Sequence, residues 1–251
     1  MKNHLQEILI YLDEGVSRRS FRHTLQGIRA DPNISLPVKS VNAKGIIESE
    51  WEKRAALLIF PGGYDVPYHT LLQGEANRRI REFVEKGGNY IGICAGAYYA
   101  SSLIVFEKEG PLEVKAEREL SFFPGTASGP VYGPDQFSYT SEKGSLAALI
   151  DWGDEELLSL YYKGGCTFEE AEKYPDVSIL ARYADLPSQP PALIHCSVGK
   201  GQALLSGIHP EFPASSLNPE DPYLKPLIPV LQRSEEARSR FFNHFVNLIL
   251  I

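Results

Sequence analysis

The chain has 251 residues, 43% of them hydrophobic, 11% aromatic and 23% charged, a balance that supports a sizeable buried core and excludes a disordered, collagen-like or coiled-coil chain. Lys and Arg total 25 against 32 Asp and Glu, a net charge of −7, so no basic surplus exists to neutralise a phosphate backbone or an anionic membrane surface. Neither nucleic acid nor membrane is expected as a partner.

Met1 to Glu7 is polar and charged where a signal peptide needs an apolar run, and no segment approaches the ~20 apolar residues of a membrane span. The expectation is one domain over residues 1–251, in the cytoplasm. The three cysteines, Cys94, Cys166 and Cys196, are too few and too odd in number for a closed disulfide framework. With no CxxC, no HExxH and no histidine pair at helical ligand spacing, nothing calls for a metal or a cofactor.

In chain order, Glu7 to Leu12 reads as a buried strand, and Ser17 after it as a helix N-cap. A second strand is expected over Leu36 to Val41 and a third over Ala55 to Phe60, ended by Pro61-Gly62-Gly63. Apolar residues at 71, 72, 76, 80, 83 and 84 predict one helix from Leu71 to Lys86, stopped by Gly87-Gly88. Asn89 to Ile93 is the next strand, running directly into Cys94, and the small residues Ala95 to Ser102 are expected to be helical. From about 104 to 206 frequent Gly and Pro turns predict a β-rich insertion, with a hairpin of Ala192–Cys196 and Gln202–Leu205 at its end. Phe212 to Pro229, with five prolines, reads as a surface loop, and Glu235 to Ile251 as an amphipathic closing helix. The alternation points to an α/β fold.

Cys94 carries the most chemical information. It stands between a strand and a small-residue run, with Gly92 and Gly96 at −2 and +2. That is the spacing of a nucleophile elbow, whose sharp turn needs small neighbours. A thiol at a helix N-terminus also faces the positive end of the helix dipole, which favours the thiolate; the competing reading is a buried structural cysteine. His209-Pro210-Glu211 follows a strand and a glycine, and offers a base together with a carboxylate to orient it, or else a solvated turn. Gly62 and Gly63 allow backbone amides to approach a ligand as an oxyanion site requires, with the amide of Ala95 as the second donor; a plain turn is the alternative. Tyr161-Tyr162-Lys163-Gly164-Gly165 is either a pocket wall over Cys94 or core and turn.

Taken in this order, the motifs resemble the class I glutamine amidotransferase-like superfamily. More closely, the chain resembles the domains found at the N-terminus of fungal biotin–protein ligases, which also occur alone. The resemblance runs over Phe60-Pro61-Gly62-Gly63 with Asp65-Val66-Pro67-Tyr68, Gly92-Ile93-Cys94-Ala95-Gly96-Ala97-Tyr98, Phe122-Phe123-Pro124-Gly125-Thr126 with Gly129-Pro130, Tyr161 to Gly165, and Gly199-Lys200-Gly201 with Gly207 to Phe212. It implies a doubly wound, mostly parallel, flavodoxin-like sheet flanked by helices with the elbow at the carboxyl end of a strand, and a Cys94–His209–Glu211 triad. It further implies a small-molecule substrate, an amide or biotin-related acyl compound, and a biotin-pathway protein as a possible partner. Glutamine-hydrolysing members follow the elbow with Gly-x-Gln, whereas this chain has Gly96-Ala97-Tyr98, which argues against glutamine as substrate. The resulting reading is a thiol hydrolase or amidase-like enzyme with Cys94 as nucleophile, His209 as base, Glu211 as its orienter, and Gly62, Gly63, Ala95, Tyr98, Tyr162, Gly164 and Gly165 around oxyanion and substrate. The alternative is a ligand-binding or regulatory module that keeps the scaffold without turnover.

Overall fold

Residues of the first strands alternate between two apolar layers, Ile8, Ile10, Leu57 and Ile59 facing one way and Leu9, Tyr11, Leu58 and Phe60 the other. Burial on both faces is why these strands read as continuous apolar runs. The structure, a computed structural model, describes residues 6–133, 136–153 and 157–250. The chain runs through β1 (Glu7–Tyr11), α1 (Arg18–Ala30), β2 (Val38–Val41), α2 (Ala43–Glu48), β3 (Ala55–Phe60), α3 (Asp65–Leu72), α4 (Glu75–Glu85), β4 (Asn89–Ile93), α5 (Ala95–Tyr99) and β5 (Ser101–Phe106). It continues through β6 (Val114–Glu117), β7 (Phe123–Gly129), β8 (Ser145–Asp151), β9 (Leu158–Lys163), β10 (Thr167–Phe168), β11 (Val177–Tyr183), β12 (Pro191–Val198), β13 (Gly201–Ser206), α6 (Ile228–Arg233) and α7 (Glu235–Asn247).

Nine strands form the main sheet in the order β2-β1-β3-β4-β13-β12-β11-β8-β9. The first five are parallel, and the remaining four extend the sheet antiparallel. The doubly wound α/β sheet is therefore present, and the β-rich second half lengthens it while also building a four-stranded sheet, β10-β7-β5-β6. Helices α1 and α7 pack on one face; α2 and α4 cover the other.

Three elements depart from the pattern-based expectation. The helix expected over 71–86 is two helices, because Gly74 adopts φ +76° and donates its amide to the Glu119 carboxylate at 2.7 Å, which breaks the run. The first of them starts at Asp65, with Pro67 tolerated in its first turn. The helical stretch after Cys94 ends at Tyr99 rather than Ser102, since Ser101 to Phe106, rich in residues favouring strands, pairs in the second sheet. The proline-rich 212–229 segment is not simply a surface loop: Phe212, Ala214, Leu217 and Leu224 form a satellite core with Tyr161 and Leu231.

The second sheet is tied to the start of α3 by a buried ion pair, in which Arg118 Nε and Nη2 donate to Asp65 Oδ2 at 2.8 and 2.7 Å. Removing one partner leaves an uncompensated buried charge. Arg118→Met is expected to cost about 3–5 kcal/mol, and adding Asp65→Leu to recover most of it. Urea denaturation of the single and double variants measures both, and equal stability of the two would contradict the pairing.

Candidate active site

The carboxyl ends of β1, β3, β4 and β13 lie along one edge of the parallel sheet, where ligands of open α/β sheets bind. Ile93 of β4 is in register with Ser206 of β13, so the residues that follow each strand, Cys94 and Gly207 to Glu211, emerge side by side. The Cys94 amide donates to the Ser206 carbonyl at 2.7 Å, and the Cys94 carbonyl accepts from the amides of Ala97 and Tyr98. Between these anchors Cys94 has φ +50° and ψ −102°, a strained conformation for a residue with a Cβ. The flanking glycines are steric necessities: a Cβ on Gly92 would overlap the Gly96 carbonyl, and one on Gly96 would overlap the Phe60 carbonyl oxygen.

His209 is buried and held from several sides. Its amide donates to the Tyr161 carbonyl at 3.0 Å, and Arg238 of α7 donates to the Pro210 carbonyl at 2.7 Å. Its Nδ1 is 2.8 Å from Glu211 Oε1. The bond to the carboxylate makes Nδ1 the proton donor and leaves Nε2 for the Cys94 side. Burial alone pulls the imidazole toward its neutral form, but the Glu211 carboxylate and the adjacent Cys94 sulfur outweigh it and raise the pKa to about 10. Cys94 Sγ itself lies 3.7 Å from the Lys163 carbonyl oxygen, which accepts its hydrogen bond.

Sequence reading missed one residue here. Ser20, on α1 and fully buried, donates from Oγ to Glu211 Oε1 at 2.7 Å and accepts the Gly62 amide at 2.9 Å. It joins the carboxylate to the glycine loop. No local pattern marks it, because its partners are remote in the chain. The Gly62 amide is thus engaged by Ser20, and a side chain at Gly62 would strike the His209 ring; this glycine makes room for the imidazole. The loop is also fixed to the β1–α1 turn, Ser17 N donating to Gly62 O and Tyr64 N to Gly15 O. Among the described residues, no acceptor takes the amides of Gly63 or Ala95, and both residues lie beside Cys94 in the lining.

Cys94, His209 and Gly63 border a cavity of about 260 Å³ together with Tyr161, Phe212 and the Phe137–Glu142 segment. Of the adjacent tyrosines 161 and 162, Tyr161 is the one that walls it. Tyr162, expected there, points to the opposite face of β9, where its hydroxyl donates to Gly165 O at 2.9 Å and accepts from Val131 N. Gly165 contributes close packing instead of lining: a Cβ would overlap the Gly207 carbonyl. Gly164 and Tyr98 border a narrow extension of the site, the Tyr98 hydroxyl donating to Gly164 O at 3.2 Å while its ring packs edge-on to Phe106. The Phe122 to Pro130 stretch is mostly β7, with Phe122 and Phe123 in the core.

All three cysteines are free. Cys166 and Cys196 are enclosed in the core, and burial pushes their thiols up, that of Cys196 to about 12. Only Cys94 borders the cavity among them. Sub-stoichiometric iodoacetamide at neutral pH is expected to label Cys94 first by peptide mapping, and prior modification of Cys166 would contradict this. The raised His209 pKa has a defined sign: the stability it lends is fully present below about 6.5 and is lost as pH rises through about 10. In ring-carbon NMR, His209 is expected to remain protonated to pH 8, and Glu211→Gln to lower its midpoint by at least about one unit. An unchanged midpoint would show that Glu211 does not hold the proton there.

The family model described as "Biotin-protein ligase, N terminal" matches residues 6–251. An uncharacterized protein of Chlamydia muridarum is 44% identical over 213 residues, 83% of this chain and 82% of that protein. The biotin–protein ligase of Schizosaccharomyces pombe is 32% identical over 249 residues, covering 96% of this chain but 37% of the ligase. Among solved structures, a glutamine amidotransferase aligns with a TM-score of 0.60 at 18% identity, covering 95% of this chain and 98% of that one. The structure of PurLQS from Thermotoga maritima aligns at 0.61 and 12% identity, covering 97% and 99%. These two establish the fold. Among the described residues no helix is long and apolar enough to cross a membrane. By the family match over nearly its whole length, the chain belongs to the biotin–protein ligase N-terminal family.

Proposed function

We propose that the protein is a cysteine-nucleophile hydrolase acting on a small amide or related acyl compound. The observation that carries this reading is the convergence of a strained thiol, an imidazole oriented by a carboxylate and the unengaged Gly63 amide on one cavity, with the unengaged Ala95 amide in its narrow extension. In the proposed cycle the Cys94 proton already rests on His209 Nε2, as the raised His209 pKa favours, and the thiolate attacks the carbonyl carbon. The C=O π pair moves onto oxygen, which the Gly63 and Ala95 amides receive. Collapse breaks the bond to the leaving group, which takes its proton from His209. Water, deprotonated by His209, then cleaves the thioester, releasing the acid and restoring the thiolate beside the imidazolium. Glu211 holds the ring, with Ser20 holding Glu211.

A second reading, a ligand-binding or regulatory module, is favoured by a different observation: the Lys163 carbonyl accepts a hydrogen bond from the Cys94 thiol, which keeps a proton on the sulfur. The two readings separate in one assay. Hydrolysis of a panel of amides, esters and biotin derivatives is expected to include at least one substrate turned over by the native chain and not by Cys94→Ala. Binding without turnover across the panel would favour the module. Free glutamine is expected to stay at the Cys94→Ala level, because Tyr98 offers a single hydroxyl already committed to Gly164 O where an amide side chain would exchange hydrogen bonds with substrate. Robust Cys94-dependent ammonia release from glutamine by the purified chain would overturn that expectation.

A further inference from the structure

The mouth of the Cys94 cavity is lined by two cations and one carboxylate, each from a different element. Arg19 comes from the first turn of α1, Lys163 ends β9, and Glu142 lies just before β8. Glu142 is held between the other two. Its Oε1 takes Arg19 Nη1 at 2.5 Å, and its Oε2 takes Tyr161 Oη at 2.9 Å, Ser145 Oγ at 3.3 Å and Lys163 Nζ at 3.5 Å. Burial disfavours the ionised form of this carboxylate, but Lys163, Tyr161 and Arg19 more than compensate and hold its pKa low. Four donors therefore already meet around a single carboxylate, and the two positive charges exceed what that carboxylate neutralises.

The positions of the cations fit an extended substrate. The Lys163 carbonyl receives the Cys94 thiol, so the backbone that carries the lysine runs beside the reacting sulfur. Each cation is braced on an aromatic face, Arg19 over Phe212 at 5.2 Å and Lys163 over Phe137 at 5.9 Å. Those rings and Tyr161 line the same cavity as the thiol and the two cations.

We propose that this mouth is a subsite for a carboxylate borne by the substrate, received by Arg19 and Lys163 in place of Glu142, so that the chain acts on acyl compounds with an anionic end. The inference rests on the hydrolase reading above and adds the class of substrate to it. A guanidinium and an ammonium exchange one carboxylate for another without leaving either cation unpaired, while a neutral substrate has no such exchange to offer.

The test compares alkylation of Cys94 by iodoacetate and iodoacetamide, two reagents that differ in the carboxylate. The ratio of their rates, referred to the same ratio for mercaptoethanol, cancels changes in the thiol itself. In the native chain that normalised ratio is expected to exceed one by at least about threefold at low salt and to fall as salt is added. Arg19→Gln and Lys163→Gln are expected to lower it, and Glu142→Gln to raise it. A ratio at or below one in the native chain, or unmoved by all three substitutions, overturns the proposal. If iodoacetamide itself leaves Cys94 unmodified, the hydrolase reading fails, and the subsite is judged by calorimetry on Cys94→Ala with hexanoate and hexanamide. Tighter binding of hexanoate by at least about threefold supports the subsite; equal or weaker binding overturns it.

Discussion

At Cys94 the backbone turns back with φ +50°, a conformation that costs a residue bearing a Cβ about 1–3 kcal/mol, and its surroundings leave no room for another path. Strand β4 reaches the turn with Gly92 packed against the Gly96 carbonyl, and the short helix α5 leaves it with Gly96 packed against the end of β3. Tyr90, buried beneath, donates its hydroxyl to the Gly96 carbonyl at 2.9 Å. The elbow is thus clamped to the sheet at both sides. The thiol is lifted off the strand axis toward the carboxyl edge, where every other element of the site is assembled.

The imidazole is placed by a second set of backbone approaches that mirrors the first. Gly207 lies so close to the Cys166 carbonyl, and Gly165 to the Gly207 carbonyl, that neither position accepts a side chain. These contacts lock the β9–β10 connection against the segment that follows β13, and the bond from His209 N to Tyr161 O carries the lock to the histidine itself. Ser20 then ties Glu211 to the Gly62 amide. One hydroxyl on α1 couples the carboxylate, the imidazole and the glycine loop, so a displacement of α1 would disturb all three.

Electrostatically, the site divides into an inner and an outer part. Inside, His209 and Glu211 share a proton away from solvent, and burial strengthens that pairing. At the mouth, Arg19, Lys163 and Glu142 are only partly enclosed, so their interactions remain exchangeable with ligand and salt. The Asp65–Arg118 pair stands behind the narrow extension of the cavity and fixes the loop carrying Gly63 to the second sheet.

Much of this was legible in the residues. Ala55–Phe60 and Asn89–Ile93 were defined by apolar runs between glycine and proline stops, and the Gly-x-Cys-x-Gly frame marked the elbow, because sterics at a sharp turn act over a few residues. His209-Pro210-Glu211 was likewise readable, since its hydrogen bond spans two positions. Helix breaks at Gly74 and after Tyr99 were not, because a long-range acceptor and a strand partner decide them. The same holds for the exchange of Tyr161 for Tyr162 as cavity wall, which depends on the pleat of β9 against the sheet. Ser20 and the charges at the cavity mouth become meaningful only when α1, β9 and the Phe137–Glu142 segment meet. Local sequence determined which residues are able to turn sharply, donate or ionise; the tertiary structure decided which of them share a cavity, because that depends on strand order and register between segments more than a hundred residues apart.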